Sequence, residues 1–259
     1  MAERAVDWLP LLTEIADLAD PLALRLFRSS GLVVDAKADE SPVTIADRSI
    51  EEAARNLVAR CRPGLGIYGE EFGETMATGA ARLIIDPIDG TRNFVRGIPV
   101  FASLLAIEER GEVVAGLVSA PAMGLRWHAA RGAGAFCGPR RLRVSGLRDL
   151  AQSQVFHGDL SGTAETPPPP GITALFRRVQ RTRGFGDFYQ HLLVAEGAGE
   201  CAIDPTVKPW DIAALQVIVE EAGGRATTLE NARDIYGGSL VTSNGLVHGE
   251  ALHLLLGPA

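Results

Sequence analysis

The chain has 259 residues, of which 46% are hydrophobic, and it carries a formal net charge of −7. A chain of this length and composition can bury a complete core, so we expect a folded protein, not a disordered one. Because its Lys and Arg residues form no dense cluster, a nucleic acid or an acidic membrane surface is not the expected partner. The negative balance favours a cation as ligand.

The cysteines are Cys61, Cys137 and Cys201. Their wide separation fits neither a disulfide framework nor a zinc site, so we interpret them as reduced thiols of the core. The N-terminal residues contain no apolar run long enough for a signal peptide or a membrane span. We therefore expect a cytoplasmic protein.

Two helices are predicted at the start of the chain. Apolar residues recur at helical spacing from Leu9 to Leu26, although Pro21 should kink this helix or divide it. The segment Thr44-Ile45-Ala46-Asp47 resembles a capping box and predicts the start of a second helix, which Arg62-Pro63-Gly64 should end.

Short strands and helices are predicted along the rest of the chain. In the first part we predict strands at residues 66–68, 82–85, 103–109, 113–119, 127–130 and 134–137. In the second part we predict strands at 154–156, 201–203, 225–227 and 239–242, and helices at 171–179, 187–196, 210–222 and 246–256. We expect an α+β N-terminal half at residues 1–147 and an α/β C-terminal half at 148–259.

The most informative feature is a pair of acids where an apolar strand ends. Asp86 and Asp89 stand in the run Ile84-Ile85-Asp86-Pro87-Ile88-Asp89-Gly90-Thr91. Carboxylates fixed at a strand end bind hard cations, and the Gly-Thr step offers backbone N–H groups to an anion. Without a cation these carboxylates would repel each other. The run therefore predicts a divalent metal ion beside a phosphate group.

Other acids also stand at the ends of predicted elements. Glu70 and Glu71 follow the strand at 66–68, and Asp47 and Asp211 lie in the first turns of helices. Taken alone, Asp47 or Asp211 would be explained as an acid that complements the helix dipole. Taken together with Asp86 and Asp89, these acids at element ends predict one shared site.

Two pattern matches are discounted. Gly64-Leu65-Gly66-Ile67-Tyr68-Gly69 satisfies G-x-G-x-x-G, but a dinucleotide site needs a strand before the glycines and a helix after them. Cys137 and Arg143 have the spacing of a cysteine phosphatase, but the residues between them lack a glycine-rich anion cradle. A nucleophile with a local histidine base is also not evident.

The acidic segments resemble the inositol monophosphatase superfamily of magnesium-dependent phosphatases. The matching segments are Asp35-Ala36-Lys37-Ala38-Asp39, Ser41-Pro42-Val43-Thr44-Ile45-Ala46-Asp47, Gly69-Glu70-Glu71, Asp86-Pro87-Ile88-Asp89-Gly90-Thr91-Arg92-Asn93-Phe94, Arg131-Gly132-Ala133-Gly134-Ala135-Phe136 and Trp210-Asp211. They occur in the family's order and extend over nearly the whole chain. The resemblance implies a layered α-β-α-β-α sandwich with the site between its halves, and a homodimer.

The resemblance also implies a set of metal ligands. Glu70, Asp86 and the backbone carbonyl of Ile88 would bind one Mg²⁺, and Asp86, Asp89 and Asp211 would bind another. Two or three Mg²⁺ ions per site are expected. Asp86 would bridge two of them.

Further roles follow from the same resemblance. Glu70 and Thr91 would orient a water molecule, and Asp47 would pair with Thr91. The N–H groups of Gly90 and Thr91 would bind the phosphate, and Lys37 would lie near the site.

The expected substrate is a small phosphomonoester. One difference from the inositol enzymes indicates which phosphomonoester it is. In Arg183-Gly184-Phe185-Gly186-Asp187-Phe188-Tyr189, the acid Asp187 replaces the hydroxyl residue that those enzymes have before their late helix. Asp187 is either the N-cap of that helix or a contact for a cationic substrate. Asp204 is a second candidate for that contact, and Arg183, Asp89 and Asp211 are further predicted substrate-binding residues.

The segments around Asn93, His128 and Asp187 resemble the histidinol-phosphatase branch of the superfamily more closely than its inositol branch. The resemblance therefore implies hydrolysis of L-histidinol phosphate, whose ammonium and imidazole groups suit an extra acid. The alternatives are an inositol-1-monophosphatase or broad small-molecule phosphatase, and a metal- and anion-binding regulator without turnover. A haloacid-dehalogenase phosphatase is set aside, because its Asp-x-Asp motif is lacking at Asp86 and Asp89.

Overall fold

The computed structural model describes residues 4–30, 32–36, 42–76, 78–161 and 167–257. The α-helices in these ranges are α1 (Leu9–Leu26), α2 (Ile45–Cys61), α3 (Thr91–Val95), α4 (Ile172–Arg178), α5 (Asp187–Ala195), α6 (Pro209–Glu221) and α7 (His248–Leu256). The strands are β1 (Val34–Ala36), β2 (Pro42–Thr44), β3 (Gly66–Gly69), β4 (Gly73–Thr75), β5 (Ala81–Asp89), β6 (Ala102–Glu109), β7 (Glu112–Ala120), β8 (Leu125–Ala130), β9 (Gly134–Cys137), β10 (Arg140–Arg141), β11 (Gln154–His157), β12 (Arg181–Gly184), β13 (Cys201–Asp204), β14 (Arg225–Thr227) and β15 (Leu240–Ser243).

The larger sheet has the strand order β10-β9-β8-β7-β6-β5-β3-β4. Its pairs are antiparallel except that β3 runs parallel to β5. Helices α1 and α2 cover one face, because their apolar stripes pack with alternate residues of the central strands. Leu12 and Leu57 of the helices join Ile85 and Leu105 of the sheet in this core.

Helices α5 and α6 lie between the two sheets. Phe188 of α5 and Val217 of α6 share one buried cluster with Trp127 of the larger sheet and Leu240 of the smaller one. All of the residues Ile212–Val219 in α6 are buried, as expected for a helix covered on every side.

The smaller sheet has the order β12-β11-β13-β15-β14. Its outer face is covered by α4 and α7, whose Leu175 and Leu252 pack with Val155 and Val241. The layers are therefore helix, sheet, helix, sheet and helix, which confirms the predicted α-β-α-β-α sandwich. The division at residues 147 and 148 stays a prediction.

Helix α1 continues without a break through Pro21, so the proline does not divide it, whereas the predicted kink stays a prediction. A proline removes one backbone hydrogen bond and disfavours the preceding turn. Here that turn is tied to the sheet, since Asp17 and Asp20 both form ion pairs with Arg126 of β8. Tertiary contacts thus stabilise a helix that the local sequence would divide.

Three further differences concern local detail. Strand β5 extends to Asp89 and does not stop at Ile85, and the sequence does not predict the short elements β1, β2, β4, β10, β12 and α3. Cys61 is exposed, whereas Cys137 and Cys201 are buried, so only two of the thiols belong to the core. No helix within the described ranges has both the length and the apolar character needed to cross a membrane.

Candidate metal centre and adjoining cavity

The two acids of β5 converge because the strand is irregular between them. Asp86 pairs with Leu104 and Asp89 with Ala102, so the register shifts across Pro87 and Ile88. In a regular strand, side chains three residues apart point to opposite faces. A bulge changes the direction in which the later side chain points. The bulge at Pro87 is stabilised by Ser103 Oγ, which donates to the Pro87 carbonyl at 2.6 Å.

Glu70 is placed beside Asp86 by strand pairing. The parallel register aligns Gly69 of β3 with Ile85 of β5, and the next residues along are Glu70 and Asp86. The Glu70 N–H also donates to the Ile85 carbonyl at 3.2 Å. Carboxyl ends of parallel strands meet at one sheet edge, which brings these two acids together.

Asp211 reaches the same edge from the start of α6. Its Oδ2 accepts the Lys208 N–H at 2.7 Å in a capping arrangement, and Pro209 occupies the first turn. The neighbouring Trp210 packs edge-on against Tyr68, with ring centroids 5.3 Å apart, which holds the helix start against β3.

These elements gather a compact group of carboxylates. One oxygen from each of Asp86, Asp89 and Asp211 lies within 4.8 Å of the others. Burial and then repulsion by Glu70, Asp89 and Asp211 raise the pKa of Asp86 well above its usual value. Burial and then Asp187 and Asp211 raise the pKa of Asp89 in the same way. The pKa of Asp211 is raised to about 7, chiefly by burial.

The donor set fits a divalent metal ion. Asp86 Oδ1 is buried and has no hydrogen-bond partner within the part of the chain that the structure describes. An unpartnered buried carboxylate oxygen within a group of like charges is unfavourable in the protein alone. Carboxylate oxygens are the ligands that Mg²⁺ and Ca²⁺ prefer, and such an ion would satisfy both the orphaned oxygen and the repulsion.

Thr91 and Asp47 meet beside this cluster. Thr91 Oγ1 lies 3.3 Å from Asp47 Oδ1 and 2.9 Å from the Ile88 carbonyl oxygen. Asp47 Oδ2 accepts from the N–H and hydroxyl of Thr44, which orients the carboxylate at the start of α2. Burial raises the pKa of Asp47, and the Thr44 hydrogen bonds oppose that shift.

Gly90 makes the sharp transition from β5 into α3. Its φ is +82°, and an added Cβ would lie 2.9 Å from the Val100 carbonyl oxygen, so glycine is required at this position. Thr91 begins α3, where the first N–H groups have no partner within the helix. Lys37 lies outside the described residues.

A cavity of about 340 Å³ adjoins the metal cluster and is strongly acidic. Its lining includes Asp89 and Asp211 of the cluster and three more carboxylates, from Asp159, Asp187 and Asp204. None of the described lining residues is Lys or Arg. The apolar part of the wall consists of Phe188, Pro205, Val207, Leu215 and Leu240.

Asp187 lies where the cavity meets the metal cluster, and it does not cap α5. The N-cap is Gly186, and Asp89 Oδ2 instead accepts the Phe188 N–H at 2.6 Å. Asp187 has the left-handed φ of +50°, and its Oδ2 accepts from Asn93 Nδ2 at 2.8 Å. Burial and then the charge of Asp204 raise the pKa of Asp187 to about 6.

Asp204 is oriented by buried donors behind the cavity wall. Its Oδ2 accepts from Gln190 Nε2 at 2.5 Å and lies 3.0 Å from His191 Nε2. The other ring nitrogen of His191 lies 2.8 Å from Thr242 Oγ1. A Cβ added to Gly158 would approach Asp204 Oδ1 to 2.0 Å, so this glycine leaves space for that oxygen.

Arg183 is not placed with the other predicted residues. It is exposed on β12 and lines a different groove with Phe185 and Tyr189, so its role in substrate binding stays a prediction. Asp159, conversely, was not singled out by the sequence. It falls in the stretch 158–171, whose polar and proline-rich composition indicates only a surface loop.

The fold and the acidic centre define a metal-dependent hydrolase of phosphate esters. A model of the inositol monophosphatase family matches residues 8–256. The chain belongs to this family and is therefore a phosphomonoesterase.

Individual relatives agree with this family. The histidinol-phosphatase of Mycobacterium tuberculosis is 46% identical, over 95% of this chain and 96% of that protein. The inositol-1-monophosphatase of Mesorhizobium japonicum is 32% identical, over 88% and 87%. Among solved structures, the IMPase of Thermotoga maritima superposes with a TM-score of 0.86 at 30% identity, covering 96% of each chain.

Proposed function

We infer that this protein hydrolyses L-histidinol phosphate to L-histidinol and phosphate, a step of histidine biosynthesis. The observation that carries this proposal is the second group of carboxylates in the cavity, Asp159, Asp187 and Asp204, since no Lys or Arg is among the described residues of the cavity lining. A cationic substrate would satisfy that group by charge-assisted hydrogen bonds, whereas the neutral hydroxyls of inositol would not. The higher identity to a relative named histidinol-phosphatase supports the same choice.

The cofactor in this proposal is Mg²⁺, with two or three ions per site. Glu70, Asp86, Asp89, Asp211 and the carbonyl of Ile88 would hold them. When bound, such ions polarise phosphoryl oxygens, stabilise the attacking and leaving oxygens, and lower the pKa of coordinated water.

The chain's own residues would orient the attack on phosphorus. Since the Thr91 hydroxyl has two acceptors beside it, at Asp47 and Ile88, its proton is directed toward them and its lone pairs can accept from the attacking water. Glu70 is the second acceptor for that water. The N–H groups of Gly90 and Thr91 would bind the phosphate, and Lys37 would add a positive charge nearby.

Asp187 and Asp204 would bind the ammonium group and so hold the ester in line with the metal cluster. Each already has one oxygen occupied by protein donors, which fixes the direction of the carboxylate. Asp89 and Asp211 would contact the substrate from the metal side. In this proposal the protein acts in the cytoplasm as a homodimer.

A substrate comparison tests the proposal. The purified protein is given histidinol phosphate, inositol 1-phosphate and fructose 1,6-bisphosphate with Mg²⁺, and phosphate release is measured, with Asp89→Asn as the inactive control. We expect the highest kcat/KM for histidinol phosphate. A preference for inositol 1-phosphate would support the alternative of an inositol-1-monophosphatase, and equal inertness of wild type and mutant would favour a binding protein.

A further inference from the structure

A buried glutamate outside the acidic cluster bonds to the turn that carries Glu70. Glu51 lies on α2, one helical turn after Asp47, and its side chain is fully buried. Its Oε2 accepts the Glu71 N–H at 2.8 Å, and its Oε1 accepts the Phe72 N–H at 3.2 Å. A buried carboxylate is costly unless such donors surround it, so this contact is specific and strong.

Arg55 completes the connection between α2 and the turn. Its Nε donates to Glu51 Oε1 at 2.9 Å, and its Nη1 donates to Thr75 Oγ1 at 2.8 Å. Its Nη2 donates to the Gly73 carbonyl. The same ion pair therefore holds both the turn after β3 and strand β4.

Gly69 shows how closely the helix and the turn approach. A Cβ added at Gly69 would lie 2.1 Å from Glu51 Oε1, a distance that no side chain can tolerate. The Glu51 carboxylate thus fills the space over Gly69 and bonds to Glu71. These are the residues immediately before and after Glu70.

We propose that Glu51 is a positioning residue for the metal centre: by fixing the backbone on both sides of Glu70, it sets how tightly the acidic cluster binds Mg²⁺. Helix α2 then supports the centre at two successive turns, with Asp47 contacting Thr91 and Glu51 holding the Glu70 turn. This inference rests on the Mg²⁺ site of the proposed function but not on the identity of the substrate.

A purely structural role for Glu51 would lower stability without changing metal affinity. The two roles are separated by isothermal titration calorimetry of Mg²⁺ into the metal-free full-length protein, without substrate. The variants are Glu51→Ala, which removes both acceptors, and Glu51→Gln, which keeps the volume and one acceptor. Glu200→Ala is the matched control, because Glu200 is also buried and accepts a backbone N–H, from Gln154, but lines neither the cluster nor the cavity.

We expect Glu51→Ala to weaken Mg²⁺ binding about 10-fold, since partners that orient metal ligands typically contribute 10- to 100-fold to affinity. Glu51→Gln should lie between this variant and the wild type, and it serves as the test if the alanine variant does not fold. Glu200→Ala should bind as the wild type does.

Wild-type affinity in both Glu51 variants, or an equal loss in Glu200→Ala, would overturn the inference. Failure of the proposed function gives a different result. In that case the wild type would bind Mg²⁺ and lose affinity on Glu51→Ala, yet would not release phosphate from histidinol phosphate.

Discussion

Two groups of carboxylates lie side by side in this molecule, and they differ in what surrounds them. In the group beside the cavity wall, each acid accepts from protein donors, namely Ser161 for Asp159, Asn93 for Asp187, and Gln190 with His191 for Asp204. In the metal cluster, Asp89 and Asp211 also accept one backbone N–H each, but Asp86 Oδ1 is buried and has no hydrogen-bond partner among the described residues. The hydrogen-bond donors around each group of carboxylates therefore indicate its ligand better than the number of its charges does. In the proposed function, the first group binds an organic cation and the second binds metal ions.

The largest expected effect comes from Asp86→Asn, which removes one charge from the cluster and keeps its shape. We expect kcat/KM to fall by roughly 10²- to 10³-fold or more, as for the loss of a central electrostatic group. The metal-free protein should become more stable, because one buried repelling carboxylate is gone.

Differential scanning calorimetry in EDTA checks the stability part of this prediction. A gain of 1 kcal/mol would raise the melting temperature by about 2–4 °C in a chain of this size. A lower melting temperature for Asp86→Asn would show that the carboxylates do not repel one another, and it would remove the contrast between the two groups.

An intermediate effect is expected from Asp187→Asn and Asp204→Asn. A charge-assisted hydrogen bond contributes about 1.5–3 kcal/mol, so each change should lower kcat/KM for histidinol phosphate by roughly 10- to 100-fold. Hydrolysis of inositol 1-phosphate and calorimetric Mg²⁺ affinity should change little. Parallel losses on both substrates would mean that these acids belong functionally to the metal cluster.

The smallest effect is a pH dependence of stability in the metal-free protein. The pKa of Asp211 is about 7 in the folded state, against a usual value of 3.8. Between these values the folded protein binds a proton that the unfolded chain does not, so this group lowers stability as the pH rises from about 4 to 7. Asp187, with a pKa of about 6, acts in the same direction.

Comparison of wild type with Asp211→Asn isolates this contribution. The buried ring of His248 has a pKa lowered to about 4, so this group raises stability as the pH rises over a similar range. Both proteins contain His248, so its contribution cancels in the difference between them. In EDTA the difference in melting temperature should grow from pH 5 to pH 8, and saturating Mg²⁺ should reduce it. A difference that does not vary with pH would indicate a solvated Asp211 outside the cluster.

The sequence was most informative where the relevant interactions are local. The capping box at Thr44 and Asp47 and the acid in the first turn of α6 are formed within four residues, so spacing alone predicts them. The Asp86 and Asp89 run and its order relative to Glu70 and Asp211 also identified the family. The longer strands and helices followed from periodicity, with errors of a few residues at their ends, whereas short elements such as β4, β10, β12 and α3 did not.

Tertiary structure decided the features that join distant segments. Asp89 caps α5 across 99 residues, and Asn93 bonds to Asp187 across 94. Neither contact has a local signal, because it depends on how the sheets and helices pack. The continuity of α1 through Pro21 and the bulge that turns Asp86 toward Asp89 have the same origin. The sequence by itself determined which acids are present and at which element ends they stand. Only packing and strand register decided which of their oxygens face one another, which face the cavity, and which are held by donors.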